Sequence, residues 1–210
     1  MVASNPFDAY YDRYEAWFDK HQAAYWSELL AVRAFTPWCG LGLEVGVGSG
    51  RFAAPLGIGV GLDPSPMMLS YAVRRGIAVV RGVAENMPFH TASFDYVLNV
   101  TTLCFLADVE VALAEAYRVL KPAGSFVVGF IDRTSALGRR YQEHKTENVF
   151  YRTSTFYSAA EVDGLLNDAG FAEQVWGQTL TLPLNQIFEP EPVRPGCGQG
   201  AFLVARAIRP

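Results

Sequence analysis

The sequence predicts an α/β fold in which helices cover both faces of a mostly parallel sheet. Short apolar segments alternate with amphipathic ones along residues 41–170, and glycine or proline separates many of them. Strands that alternate with helices in this way form parallel sheets. Half of the 210 residues are apolar and 18% are charged, so the chain can bury a core, and disorder is excluded as its main state.

A helical cap is predicted ahead of the sheet. Aromatic residues recur at three- and four-residue steps through residues 5–34, which is the spacing of one helix face with room for a single break. Pro37 ends the segment. Such a stripe most often packs against a core. The alternative is a lid in which Tyr10, Tyr14 or Trp17 closes over a bound ligand.

The elements that follow are predicted from apolar runs and capping residues. Ser65 and Pro66 begin one helix, which Gly76 ends, and Asp108 caps another, which Gly124 ends. The predicted strands are 41–46, 58–63, 78–82, 94–100, 125–130, 173–180 and 201–207, and the predicted helices are 51–56, 65–76, 108–124 and 158–170. Because no long helix separates the last two strands, they are expected to form an antiparallel pair at one edge of the sheet.

Composition and charge exclude several kinds of partner. The formal net charge of −4 argues against nucleic acid, which requires clustered Lys and Arg, and no apolar run reaches the length of a membrane span. The first residues lack the basic start and apolar run of a secretory signal. Cys39, Cys104 and Cys197 lie far apart, without disulfide or metal-binding spacing. They are expected to be free thiols in a cytoplasmic protein that has no metal site.

A glycine-rich segment marks the expected ligand site. Residues 44–50 read EVGVGSG, where the first predicted strand turns into the helix after it. Glycines there let a ligand approach the backbone, and ligands of open α/β sheets bind at the carboxyl ends of the strands. The spacing is ExGxGxG and not the GxGxxG of nicotinamide-binding proteins.

An acidic residue follows this segment, at the end of the second predicted strand. Asp63 lies thirteen positions after Gly50, and a carboxylate there can accept hydrogen bonds from both hydroxyls of a ribose. The alternative is that Asp63 only begins the next helix. Ser65 followed by Pro66 already fills that role, which favours the ribose interpretation.

Four ordered motifs between Leu41 and Phe130 resemble those of class I S-adenosylmethionine-dependent methyltransferases. The motifs are LEVGVGSGRF, GVGLDPSPMML, RGVAENMPFHTASFDYVLNV and ALAEAYRVLKPAGSFVVGF. The resemblance is to the branch of small-molecule and quinone-type methyltransferases. It implies a Rossmann-like three-layer sandwich whose seven-stranded, mostly parallel sheet ends in an antiparallel strand. The whole of 1–210 is then a single domain, with a cap or lid at 1–36, a cofactor-binding half at 41–130 and a substrate-side half at 131–210.

The resemblance also implies S-adenosylmethionine as cofactor and S-adenosylhomocysteine as product. Glu44 would meet the amino group of the methionine moiety, and Asp63 would bind the ribose. Val83 stands where the family commonly has an aspartate for the adenine amine, so Glu85 or a backbone carbonyl would replace that contact. The implied cofactor-binding residues are Glu44, Gly46, Val47, Gly48, Gly50, Asp63, Pro64, Met68, Ala84, Glu85, Asn99, Val100 and Thr101.

The implied reaction is in-line transfer of a methyl group to a nucleophilic atom of a small-molecule acceptor. Two alternatives remain open: a nicotinamide-dependent oxidoreductase, and a module that binds S-adenosylmethionine without transferring its methyl group. No catalytic residue is assigned. Asp132, Tyr141 and His144 are candidates for a general base, although their segment also resembles a charged surface loop. The aromatic cap favours a modest, partly apolar acceptor, and the oligomeric state is left open.

Overall fold

The computed structural model describes residues 6–210 as a single sheet of eight strands with helices on both faces. The strands are β1 Gly42–Val45, β2 Val60–Asp63, β3 Ala78–Arg81, β4 Phe94–Val100, β5 Leu120–Ile131, β6 Ala172–Thr179, β7 Arg194–Pro195 and β8 Phe202–Ile208. The helices are α1 Pro6–Ala9, α2 Tyr11–Lys20, α3 Gln22–Phe35, α4 Ala53–Leu56, α5 Pro66–Arg74, α6 Val109–Val119, α7 Ala136–Glu143 and α8 Ala159–Asp168. Within this range, no helix has the length and apolar character needed to cross a membrane. Residues 1–5, where the predicted cap begins, lie outside the described residues.

The strand order is β3-β2-β1-β4-β5-β8-β6-β7. Strands β1 to β5 are parallel, and β8 lies antiparallel between β5 and β6. The predicted α/β class and the antiparallel last strand are confirmed. The sheet has one strand more than the expected seven, because the two-residue β7 pairs with Gly177 and Gln178 of β6. So short a strand has no alternating pattern that could predict it.

Separate apolar clusters cover the two faces of the sheet. On one face α3, α4 and α5 contribute Val32, Ala53 and Leu69, and on the other α6 and α8 contribute Leu113 and Leu166. Burial of a Val or Leu side chain contributes about 1.5–3 kcal/mol, so both faces stabilise the fold. This is the three-layer sandwich that the sequence predicts.

One predicted helix is shorter than expected. The prediction covers 108–124, but α6 ends at Val119 and β5 begins at Leu120. Pro122 has no backbone N–H to donate and disfavours helical geometry in the residue before it. Ala123 has a positive φ of 60°, and Leu120 is fully buried in the sheet. Burial in the sheet therefore outweighs the helical pattern.

The cap consists of three helices rather than one helix with a single break. The chain leaves helical geometry at Tyr10, between α1 and α2, and at His21, between α2 and α3. Phe18 on α2 is buried and packs edge-on against Tyr14 and Trp17, with ring centroids 5.1 and 5.2 Å apart. Part of the aromatic stripe thus packs into the core, as its spacing indicates.

An ion-pair network holds α2 against the glycine-rich segment. The Glu15 carboxylate accepts a hydrogen bond from the Ser49 hydroxyl. Its Oε2 also accepts from Arg51 Nη2 and Arg75 Nη2, both at 2.7 Å. Burial by itself raises the pKa of Glu15, but the hydrogen bonds from Ser49 and the two arginines lower it below its ordinary value. The ionised carboxylate therefore stabilises the docked cap.

Glu15→Gln is expected to lower the free energy of unfolding by about 1–3 kcal/mol near neutral pH, because two guanidinium groups lose their charged partner. Folding lowers the pKa of Glu15, so the difference from wild type is complete above the ordinary value of about 4.5. It shrinks as the pH falls through the lower folded-state pKa. Urea denaturation at several pH values measures this difference.

Asp19→Asn is the matched control, because the Asp19 side chain is exposed and its carboxylate lies 3.6 Å from Arg51. It is expected to change the free energy of unfolding by no more than about 0.5 kcal/mol. A Glu15→Gln effect that stays constant with pH would show that the carboxylate charge does not stabilise the cap.

Candidate functional site

A cavity of about 1450 Å³ opens at the carboxyl ends of the central strands. Val45 of β1, Asp63 of β2 and Ile131 of β5 line one side, and Phe7 and Tyr14 of the cap line another. Sites for a single drug-sized ligand have volumes of about 300–1,000 Å³. The cavity is therefore large enough for two molecules side by side.

Three glycines form the turn that borders this cavity. Gly46, Gly48 and Gly50 have φ values of +73°, +51° and +84°, a region that favours glycine. The N–H groups of Gly46 and Val47 donate hydrogen bonds to Leu62 O at 2.8 and 3.0 Å. These bonds join the turn to β2. A side chain at position 46 would collide with Thr102, whereas one at position 48 would meet nothing closer than 3.6 Å. Gly46 is therefore required by packing, and Gly48 leaves its backbone open to the cavity.

The Asp63 carboxylate faces this turn. Its Oδ2 accepts a hydrogen bond from Gly48 N at 2.9 Å, and its Oδ1 accepts one from Ser65 N at 2.8 Å. Burial raises the pKa of Asp63, with a further contribution from the charge of Asp8, while the two backbone hydrogen bonds oppose the rise. Asp63 lines the cavity, and each of its oxygens can accept a further hydrogen bond. The carboxylate can therefore bind a pair of hydroxyl groups.

Glu44 lies just before the turn, on β1, and is fully buried. The backbone N–H of Ala53 donates to its carboxyl, but its Oε2 has no hydrogen-bond partner among residues 6–210. Burial raises the pKa of Glu44 well above its ordinary value, and the charge of Asp63 adds to the rise. A buried acceptor without a partner is costly, but Glu44 does not itself line the cavity.

The expected adenine neighbours form another wall. Pro64, Met68 and Ala84 line the cavity together with Val83, which is 45% exposed. Glu85 also lines it, and its Oε1 accepts hydrogen bonds from the N–H groups of the two residues before α6, at 2.8 and 3.3 Å. Glu85 therefore supports the start of α6 and keeps its second oxygen for a ligand.

Some of the expected cofactor residues do not line the cavity. They are Glu44, Val47, Gly50, Asn99 and Val100. Val47 packs beneath Gly61, and Val100 belongs to the apolar cluster beneath α3. Asn99 faces a small cavity beside α6. Successive strand residues point to opposite faces, and of residues 99–101 only Thr101, with a φ of +52°, lines the large cavity.

Aromatic side chains surround much of the cavity. Of the three expected lid residues, Tyr14 and Trp17 line it, whereas Tyr10 does not and is 47% exposed. Tyr151 stacks on Tyr141 with ring centroids 5.2 Å apart. The remaining aromatic lining residues are Phe7, Phe18, Phe52, Phe105 and Phe150. Most of them were not identified from the sequence because they are far apart along it, although the density of aromatic residues at 150–157 was a usable signal.

The three candidates for a general base have different surroundings. Asp132 accepts hydrogen bonds from the Thr134 N–H and hydroxyl at 2.9 and 2.8 Å, and thereby holds the turn before α7. His144 is exposed and lies 3.5 Å from Glu147. All three line the cavity, and burial raises the pKa of Tyr141 to about 12. The geometry assigns none of them a catalytic role.

One cavity-lining carboxyl was not identified from the sequence. Glu28 on α3 is 3% exposed, and burial raises its pKa to about 8. No residue within 6–210 gives its carboxyl a hydrogen bond or an ion pair. A single acidic residue in an amphipathic helix normally faces solvent, so its sequence context carries no sign of a site.

Comparison with known proteins identifies methyltransferases. A family model described as a methyltransferase domain matches residues 43–128. A crystal structure from Thermotoga maritima, described as a SAM-dependent methyltransferase and possible histamine N-methyltransferase, has a TM-score of 0.96 and 46% identity, and the match covers 98% of this chain and 99% of that one.

Two curated proteins extend the comparison. An uncharacterised protein of Methanocaldococcus jannaschii is 39% identical over 203 residues, which are 97% of this chain and 98% of that protein. The ubiquinone biosynthesis O-methyltransferase of Azorhizobium caulinodans is 30% identical over 67% of this chain and 62% of its own length.

Alanine substitutions can test whether position 46 is constrained by packing and position 48 only by its backbone conformation. Gly46→Ala is expected to lower the free energy of unfolding by about 2–4 kcal/mol, because the added methyl group strains the backbone and collides with Thr102. Gly48→Ala is expected to lower it by about 1–2 kcal/mol, from backbone strain alone. Gly57→Ala is the matched control, because Gly57 also has a positive φ, of 74°, and open space around it. Urea denaturation compares the three, and equal losses at positions 46 and 48 would refute this assignment.

Proposed function

This chain belongs to the class I S-adenosylmethionine-dependent methyltransferases, and we propose that it methylates a small molecule held against the aromatic walls of the cavity. The supporting observation is that a single cavity joins the glycine turn and Asp63 to these walls. Enclosed, mostly apolar pockets with a few polar groups are typical of small-molecule sites. The nicotinamide-dependent alternative is wrong, because the family uses S-adenosylmethionine.

The residues at the glycine turn fit this cofactor. Asp63 has the acceptor capacity for two ribose hydroxyls, and Gly48 lets a ligand approach the backbone. Glu44 does not line the cavity, so its buried Oε2, which has no hydrogen-bond partner among the described residues, would meet the ammonium group of the methionine moiety through a water molecule. When bound, the cofactor supplies an electrophilic methyl group on a positively charged sulfur.

The chain's own contribution to the reaction is proposed to be binding, orientation and exclusion of water. Tyr14 and Trp17 present aromatic faces to the cavity, and such faces attract a cation by about 0.5–2 kcal/mol. Rigid walls can hold the acceptor atom about 3–3.5 Å from the methyl carbon and in line with the bond that breaks. A general base is required only for an acceptor atom that carries a proton, so the proposal assigns none.

The acceptor class follows from enclosure and charge. The net charge of −4 is unfavourable for nucleic acid, and the similarity to a possible histamine N-methyltransferase places histamine among the acceptors to test.

The proposed location is the cytoplasm, because Cys39, Cys104 and Cys197 are free, as is usual in a reducing compartment.

Asp63→Asn is expected to weaken S-adenosylhomocysteine binding by about 1.5–3 kcal/mol, or roughly 10- to 150-fold, because one carboxylate oxygen becomes an amide group that cannot accept. Isothermal titration calorimetry measures this loss, and thermal denaturation checks the fold. Asp168→Asn, at an exposed position at the end of α8, is the control and should leave the affinity unchanged. Unchanged affinity in Asp63→Asn would remove Asp63 from the cofactor site.

Methyl transfer is tested with S-adenosylmethionine labelled in its methyl group. The purified protein is expected to label members of a panel of small amines, phenols, quinols and thiols that includes histamine. Asp63→Asn should lower the rate at limiting cofactor in proportion to its loss of affinity. Separate reactions contain tRNA or unfolded protein. Label found only in these macromolecules would contradict a small-molecule acceptor.

A further inference from the structure

Glu28 is a buried carboxyl that the proposed cofactor contacts do not use. It is 3% exposed and lines the cavity. The residues on either side of Glu28 fix α3 in place. The Ser27 hydroxyl accepts a hydrogen bond from Glu191 N at 2.8 Å, and Leu29 lies in the core. A buried carboxyl without a partner among the described residues destabilises a fold. Its retention at a cavity wall therefore points to a ligand.

Tyrosine rings from three other segments line the same cavity as Glu28. Its charge raises the pKa of Tyr14 on α2, of Tyr141 on α7 and of Tyr151, in each case in addition to the larger effect of burial. All three rings line the same cavity, as does Trp17. A carboxyl among electron-rich aromatic faces is the arrangement that binds ammonium groups, through a charge-assisted hydrogen bond and cation–π contacts.

Basic side chains that line the cavity do not neutralise Glu28. They are Arg13, Lys20, Arg139 and Arg140, all exposed to solvent. No ion pair joins Glu28 to a basic side chain in the described part of the chain. Water and salt screen exposed charges far more than buried ones, so these basic side chains do not offset a charge on the Glu28 carboxylate.

Tyr14 connects this carboxyl to the cofactor side of the cavity. The charges of Glu44 and Asp63 also raise the pKa of Tyr14. Its hydroxyl is 3.6 Å from the position of a side chain built at Gly48. Tyr14 is therefore near both the glycine turn and Glu28, and a molecule bound at Glu28 would share the cavity with one bound at Asp63.

We infer that Glu28 binds a protonated amino group of the methyl acceptor, and that the acceptor is therefore an alkylamine with an apolar or aromatic body. The ammonium group donates a hydrogen bond to the Glu28 carboxylate and lies against the tyrosine rings. An ammonium nitrogen has no lone pair, so methyl transfer to that nitrogen requires that its proton first pass to the Glu28 carboxylate. The body packs on neighbouring aromatic walls such as Phe105 and Phe150. The identification of this amine as the methyl acceptor rests on the proposed function, whereas the amine site itself rests on the cavity around Glu28.

The test compares amines with alcohols of the same shape. Calorimetry measures the binding of 2-phenylethylamine and 2-phenylethanol, and of cyclohexylmethylamine and cyclohexylmethanol, to the complex with S-adenosylhomocysteine. At least one amine is expected to bind wild type about tenfold or more tighter than its alcohol. Glu28→Gln should abolish this preference and leave S-adenosylhomocysteine affinity within about twofold. Glu110→Gln, exposed on α6, is the control and should preserve both.

A second measurement separates ligand binding from a structural role. In thermal denaturation without ligand, Glu28→Met is expected to melt at the wild-type temperature or above it, because an apolar side chain replaces a buried carboxyl that has no partner among residues 6–210. A structural role predicts a lower melting temperature in both Glu28→Met and Glu28→Gln, together with an amine preference that survives in whatever protein folds.

The outcomes distinguish the two proposals. If both amines bind wild type no tighter than their alcohols, or if the preference survives Glu28→Gln, the amine site is refuted even though the cofactor binds and methyl transfer occurs. If S-adenosylhomocysteine does not bind wild type, the proposed function fails. The same amine comparison on the ligand-free protein then decides the amine site by the same criterion.

Discussion

The two hydrogen bonds that the Asp63 carboxylate accepts, from Gly48 N and Ser65 N, are the constraint on which the rest of the site depends. They connect the glycine turn to the start of α5, while Leu62 O accepts from the first N–H groups of that turn. The positive φ angles of Gly46 and Gly48 are held by these bonds. Because the backbone groups are already paired, this edge of the sheet is ordered before any ligand binds, which lowers the entropic cost of binding.

The cap is docked onto the same edge and completes the cavity. Glu15 pairs with Arg51 and Arg75 on one side of the turn, and Asp8 accepts hydrogen bonds from the Ser65 hydroxyl and from Met67 N on the other. The aromatic walls contributed by α1 and α2 are therefore positioned by polar contacts to the glycine turn and the start of α5. A displacement of the cap would open the cavity and disturb the glycine turn together.

Two buried carboxyls, Glu28 and Asp63, line the cavity, and Glu44 is buried next to the glycine turn. Glu28, Glu44 and Asp63 are all buried and have raised pKa values, and none of them pairs with an arginine or lysine in the described residues. A sulfonium cofactor and an ammonium-bearing acceptor would repel each other in such a small volume. Their raised pKa values favour the neutral form in the empty cavity, and a bound cation would lower these pKa values. The carboxylates ionised in this way would offset the repulsion between the two cations.

The sequence by itself predicted seven of the eight strands, the glycine turn and the position of Asp63 beside it, because each depends on periodicity, capping or spacing within a few residues. It did not predict the two-residue β7, or α7 in a segment that resembles a charged loop. The prediction was wrong at 108–124, where burial of Leu120 in the sheet overrides a helical pattern. Of residues 99–101, all expected at the cofactor, only Thr101 lines the cavity, because successive strand residues point to opposite faces. Only the tertiary structure decided the acceptor side. Glu28 precedes Tyr141 by 113 residues and Tyr151 by 123, and no local sequence pattern shows that these residues line one cavity.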